Sequence, residues 1–77
     1  MLDMKLLGRR LADLRHQSER TQREIAEILG VSTQAVSKWE RGLACPDMLI
    51  LDELAFSLGV GINDLFSNQT KKGDESA

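Results

Sequence analysis

QREIAEILGVSTQAVSKWER, Gln22 to Arg41, is the most informative part of the chain. It reads as two short helices with a three-residue break. Thr21 and Glu24 make a T-x-x-E capping box at the start of the first helix, each side chain satisfying a free backbone N–H at the other residue. Ile25, Ala26 and Leu29 then recur at helical spacing and face inward. Gly30 stops that helix, because the left-handed conformation of a helix end is cheapest for glycine. Ser32 is the N-cap of the next helix, and Val31 before it can staple onto Val36. That helix runs to about Arg41, with Gly42 as its stop. Gly30-Val31-Ser32 is too short to join a parallel pair and suits a sharp corner between helices. Ala26 is small enough to let the second helix cross close, and Val31, Val36 and Trp39 complete an apolar inner side.

The second helix has two unlike faces. At about 100° per residue, Ala35, Val36, Trp39 and Glu40 fall on one half of the wheel. Thr33, Gln34, Ser37, Lys38 and Arg41 fall on the other. The outward half carries hydroxyls, an amide and two cations but no acid, whereas an ordinary solvated face mixes Glu with Lys. Gln can bond adenine through two contacts, Lys can donate to guanine, and Thr offers a methyl to thymine. A polar face without a partner is the plainer alternative.

Three further helices extend outward from this corner. Lys5 to about Gln17 carries Leu7, Leu11 and Leu14 on one stripe. A fourth helix starts after Pro46 with Asp47 as N-cap, ends at Gly59, and offers Met48, Leu51, Leu54, Ala55 and Leu58 as an inner face. Ile62 to Phe66 makes one or two turns, with Leu65 and Phe66 directed to the core. The expected architecture is an all-α, compact five-helix domain over residues 1–66. Residues 67–77 are polar and without apolar periodicity, and read as a disordered tail or the start of a linker.

Composition narrows the class. A chain of 77 residues has room for one domain and one modest core. With no Tyr, one Trp and two Phe, that core is mostly aliphatic. The lone Cys45 excludes an intrachain disulfide and favours a reducing, cytoplasmic setting. No stretch resembles a signal peptide or a membrane span. The net charge is −2, but its distribution is uneven. Residues 1–45 hold eight cations and six acids, and residues 46–77 hold two and six. One end can therefore face phosphate while the other faces away. Neither Cys45 nor His16 has the neighbours that a metal site or a nucleophilic centre needs. No enzyme activity, cofactor, metal or small-molecule ligand is expected within this domain.

Leu7 to Phe66 resembles the Cro and phage-repressor (XRE-type) helix-turn-helix family. The resemblance is carried by Leu7-Gly8-x-Arg10-Leu11-x-x-Leu14-Arg15, by Thr21-Gln22-x-x-Ile25-Ala26, by Gly30-Val31-Ser32 with Val36-Ser37-x-Trp39-Glu40-Arg41-Gly42, and by Pro46 and Leu58-Gly59-Val60. It implies a homodimer on a palindromic operator in double-stranded DNA, with the third helix in the major groove and repression as the commonest outcome. By position, Thr33, Gln34, Ser37 and Lys38 resemble the base-reading set. Gln22 resembles a phosphate-bonding residue, and Arg41 with the backbone near Gly42 resembles a second phosphate clamp. Arg20 and Arg23 are added as phosphate candidates. Arg15 and Glu40 resemble an ion pair tying the first helix to the third.

Some positions depart from the family pattern. Glu19-Arg20 stands where relatives often have Gly-Leu, so the usual staple onto Ile25 is missing. Asp52 stands at an often apolar position, and Leu49 and Phe56 at often polar ones. Gly61 replaces the usual Ser cap of the fifth helix. Leu49 and Phe56 lie seven residues apart on one outer stripe, and together with Ile62 they are the expected dimer contact. The competing function is a protein-interaction module, such as an antitoxin or adaptor, for which the acidic total charge and these two exposed apolar residues speak.

Overall fold

The computed structural model describes residues 2–67. It contains five helices: α1 (Met4–Gln17), α2 (Gln22–Leu29), α3 (Thr33–Glu40), α4 (Met48–Leu58) and α5 (Ile62–Leu65). The tail expected over 67–77 lies, beyond Ser67, outside the described residues.

Each helix starts where a local side chain can hold its free N–H groups. Asp3 Oδ1 accepts from the N–H of Lys5 and Leu6, which starts α1 one residue earlier than its periodicity predicts. The capping box is formed on both sides: Glu24 N–H donates to Thr21 Oγ1 at 3.0 Å, and Thr21 N–H donates to Glu24 Oε1 at 2.8 Å. Ser32 caps α3 through the N–H of Ala35, and Asp47 caps α4 through the N–H of Ile50. Gly61 has no side chain to cap α5; the carboxylate of Asp64 instead accepts from the Gly61 N–H at 2.9 Å. At the corner, Gly30 takes φ +72°, the left-handed conformation that lets Val31 N–H return to Ala26 O. Glu19 also has positive φ (+59°). That conformation costs a non-glycine residue free energy. It is retained because Ser18, Glu19 and Arg20 all donate back to carbonyls of α1.

The core is aliphatic around one indole. Leu7, Leu11 and Leu14 from α1 meet Ile25, Ala26 and Leu29 from α2, Val36 and Trp39 from α3, Leu51, Leu54 and Ala55 from α4, and Leu65 from α5. α3 packs against both α1 and α2, and α4 closes the other side of α2. α1 and α3 approach closely at Gly8, which is buried. A Cβ there would lie against the carbonyl oxygen of Trp39 and 2.6 Å from that of Glu40. Arg10 Nε donates to the carbonyl of Asp64 at 2.8 Å, which ties the C-terminal end of α5 to α1.

One inward assignment is corrected. Met48 shares the stripe of Leu51 and Ala55 but is 67% exposed. It opens the first turn of α4, and the buried part of that helix begins only at Leu51. Periodicity gives a direction around the helix, not the length of the neighbour that covers it. Ile50 packs against the core instead, half-buried.

Candidate nucleic-acid interface

α3 is held by its buried side, which sets the opposite side outward. Val36 and Trp39 are buried and Ala35 is half-buried against α1 and α2. Thr33, Gln34, Lys38 and Arg41 are exposed, and Ser37 is half-buried. Thr33, Gln34 and Lys38 make no side-chain hydrogen bond or ion pair among the described residues. Their donors and acceptors are therefore available without first breaking an internal contact. Ser37 is engaged: Arg41 Nε donates to its Oγ at 3.2 Å and to its carbonyl at 3.3 Å. This folds the Arg41 side chain back along α3 and leaves its terminal nitrogens for an outside acceptor. The backbone around Gly42 is less available. The N–H groups of Arg41, Gly42 and Leu43 already donate to carbonyls of α3.

The start of α2 lies on a buried polar chain. Arg15 makes a two-point contact with Glu40: Nε donates to Oε2 at 2.6 Å and Nη2 to Oε1 at 3.0 Å. The side chains of the pair are only 11% and 9% exposed. Arg15 Nη1 also donates to the carbonyl of Arg20 at 2.8 Å, which fixes the α1–α2 turn. Its remaining neighbour is the ring of exposed His16, 3.4 Å from Nη2. Gln22, the first residue of α2, adds a third element by donating from Nε2 to Glu40 Oε1 at 2.9 Å. A single carboxylate thus collects donors from α1 and α2 while standing on α3. Buried charges require such satisfaction.

The other basic candidates are surface groups. Arg20 is exposed. Arg23 is exposed and lies 3.4 Å from Glu27 one turn on, a solvated pair that contributes little to stability. Such a pair gives up little when another anion approaches.

The helical patterns of the sequence do not state three contacts here: Gln22 to Glu40, Arg15 to the Arg20 carbonyl, and the close approach at Gly8. A signal existed for the last. Glycine inside a helix costs about 1 kcal/mol relative to alanine, so its presence there points to a packing reason.

Elsewhere, Cys45 is exposed and its thiol donates to the carbonyl of Pro46. Among the described residues, no group of three or more His, Cys, Asp or Glu is placed to hold a metal. No helix among them is long and apolar enough to cross a membrane.

Comparison with known proteins agrees with this geometry. The helix-turn-helix family HTH_3 matches residues 11–65. An uncharacterized HTH-type transcriptional regulator, y4dJ of Sinorhizobium fredii, is 43% identical over 60 residues, covering 77% of this chain and 78% of that protein. The HTH-type transcriptional regulator PuuR of Escherichia coli is 32% identical over 68 residues, but those residues make up only 36% of its length. The crystal structure of the restriction-modification controller protein C.AhdI from Aeromonas hydrophila superposes with a TM-score of 0.79 at 28% identity, over 83% of this chain and 97% of that one. With the bihelical corner, the five-helix architecture and these likenesses in agreement, the chain belongs to the helix-turn-helix family of DNA-binding transcriptional regulators, of the Cro and phage-repressor type.

Proposed function

We propose that this protein is a sequence-specific repressor that binds double-stranded DNA as a homodimer, with residues 1–66 as the DNA-binding unit and α3 in the major groove. The observation that carries this reading is the outward side of α3, which is acid-free, exposed at Thr33, Gln34, Lys38 and Arg41, and anchored from behind by Val36 and Trp39. Thr33, Gln34, Ser37 and Lys38 read base edges. Gln22, Arg41, Arg20 and Arg23 meet phosphates; the chain around Gly42 joins them only by exchanging N–H bonds it already makes to α3 carbonyls. Occupancy of an operator excludes other proteins from that DNA, hence repression, and such a role places the protein in the cytoplasm.

Selection of bound sites from a random duplex pool tests the reading. A recovered palindrome with half-sites about 34 Å apart supports it. Recovery of no consensus, with binding that does not weaken as salt rises, favours a protein-interaction module instead. Within the recovered site, Gln34→Ala and Lys38→Ala should each cost about 1–3 kcal/mol and relax selectivity at one base pair. Equal losses on the specific site and on random duplex would reassign both residues to phosphate.

The dimer reading rests on α4. Leu49 is 79% and Phe56 87% exposed, and Phe56 and half-buried Ile62 line a groove of about 600 Å³ together with Ile28. Large apolar side chains in water cost about 25 cal/mol per Å² relative to burial. A two-fold axis near α4 and α5 would cover Leu49, Phe56 and Ile62. Asp52 and Glu53 at the rim would oppose each other across it and keep the dimer weak without DNA. Sedimentation of the wild type and a Leu49→Ser, Phe56→Ser double variant checks this. The wild type should associate at high concentration and the variant should remain monomeric. Equal cooperativity of the two proteins on a palindromic site would place the interface elsewhere.

A further inference from the structure

We propose that Glu40 is a positioning residue for DNA binding: it fixes the side-chain amide of Gln22 with the nitrogen turned toward the protein, and so sets which hydrogen Gln22 offers to a phosphate. The inference rests on the assignment of Gln22 to a phosphate.

A carboxylate only accepts hydrogen bonds, so the face of the Gln22 amide against Glu40 must be its NH2 group. The distance of 2.9 Å to Oε1 is that of a well-formed bond. Glu40 is itself held in place: Arg15 contacts both of its oxygens and its side chain is 9% exposed. Charge-assisted two-point contacts of this kind fix geometry as well as adding energy.

The amide group is planar, and its NH2 carries two hydrogens. With one committed to Glu40, the direction of the second is determined. A free glutamine would have to order its rotatable bonds on binding; here that ordering is already present in the free protein. Gln22 opens α2, and Thr21 Oγ1 takes only the N–H of Glu24. The backbone N–H groups of Gln22 and Arg23 have no acceptor among the described residues. They lie at the positive end of the helix dipole. Arg15 offsets the charge of Glu40, so the carboxylate can serve as an anchor near a DNA backbone without acting as a lone repelling anion.

The test is a double-variant cycle on a random-sequence duplex, at fixed salt and at a temperature where circular dichroism shows every protein folded. Gln22→Ala should bind about tenfold more weakly, the effect of losing one hydrogen bond to a charged group. Glu40→Gln keeps the shape of the side chain and removes a negative charge, which on charge alone tightens binding to DNA. The proposal requires the opposite: weaker binding, by a similar factor, since a Gln at this position no longer dictates which way the amide turns. In the Gln22→Ala background the same Glu40→Gln change should alter affinity by less than about twofold, because nothing remains to be positioned.

Equal weakening by Glu40→Gln in both backgrounds would assign Glu40 to the fold alone and overturn the proposal while leaving Gln22 on its phosphate. Unchanged or tighter binding by Glu40→Gln would overturn it as well. A silent Gln22→Ala would overturn both the proposal and the phosphate assignment. If Glu40→Gln does not fold, exchange of the side-chain amide protons of the free wild type decides. One Gln22 proton should exchange with water at least about tenfold more slowly than those of exposed Gln34; exchange of both at the Gln34 rate overturns the proposal.

Discussion

Gly8→Ala is expected to lower the melting temperature by at least about 12 °C, or to prevent folding. The general rule for an exposed helix interior points the other way, since alanine is favoured over glycine there by about 1 kcal/mol. The local geometry reverses the sign. The added methyl would meet the carbonyl oxygens of Trp39 and Glu40 and lie 2.8 Å from the carbonyl carbon of Glu40. These are backbone atoms of α3, so no side chain can swing aside. α1 and α3 would have to separate and open the core to which Leu7, Leu11, Val36 and Trp39 all contribute, each buried. Overpacking commonly costs 1–3 kcal/mol, and a clash with rigid backbone belongs at about 3 or above. At roughly 4–8 °C per kcal/mol for a domain of this size, a shift of 12 °C or more follows. Thermal melting followed by circular dichroism measures it. An unchanged or raised melting temperature would mean that α1 and α3 do not cross this closely.

Arg15→Ala and Glu40→Ala are each expected to cost about 3–5 kcal/mol, and the paired replacement by apolar side chains less than either. Total stabilities of about 5–15 kcal/mol leave small domains near the lower end, so either single variant approaches the limit of folding. The asymmetry has a physical source. Removing Arg15 leaves a nearly buried carboxylate with the Gln22 amide as its remaining partner, and also releases the Arg20 carbonyl. Removing Glu40 leaves a guanidinium held by that carbonyl and facing His16. In each case one charge stays in a poorly solvated place. An Arg15→Met, Glu40→Leu variant has no charge left to satisfy. Melting or denaturant curves of the two single variants and the pair decide this. Fully additive shifts would show that the two side chains are not coupled.

Much of the architecture was legible because its signals are local. Thr21 with Glu24, Ser32, Asp47, Gly30 and Gly59 act within one turn of the chain, and the structure places each at the end of a helix where it is read from sequence. Leu7, Leu11, Leu14, Ile25, Ala26, Leu29, Val36 and Trp39 recur at helical spacing, and all are buried. The same periodicity failed at Met48, where the first turn of α4 stands outside the buried part of the stripe. The α3 face was legible for the same local reason: its outward residues follow from its inward ones.

Local sequence specifies the five helices, the corner between α2 and α3, and the acid-free face that α3 presents. Each depends on interactions between residues at most a few positions apart, or on a repeat matched to the helical turn. How those helices meet is settled by long-range packing. Gln22 reaches Glu40 across 18 residues, and Arg10 reaches the Asp64 carbonyl across 54. Neither Gln22 nor Gly8 carries a pattern that states its partner. Helical periodicity specifies the direction of a side chain around its own axis, whereas the distance and crossing angle between two axes follow from how all the buried side chains fill the space between them. That packing brings the backbone of α3 against Gly8, and it places one carboxylate on α3 within reach of both Arg15 and Gln22.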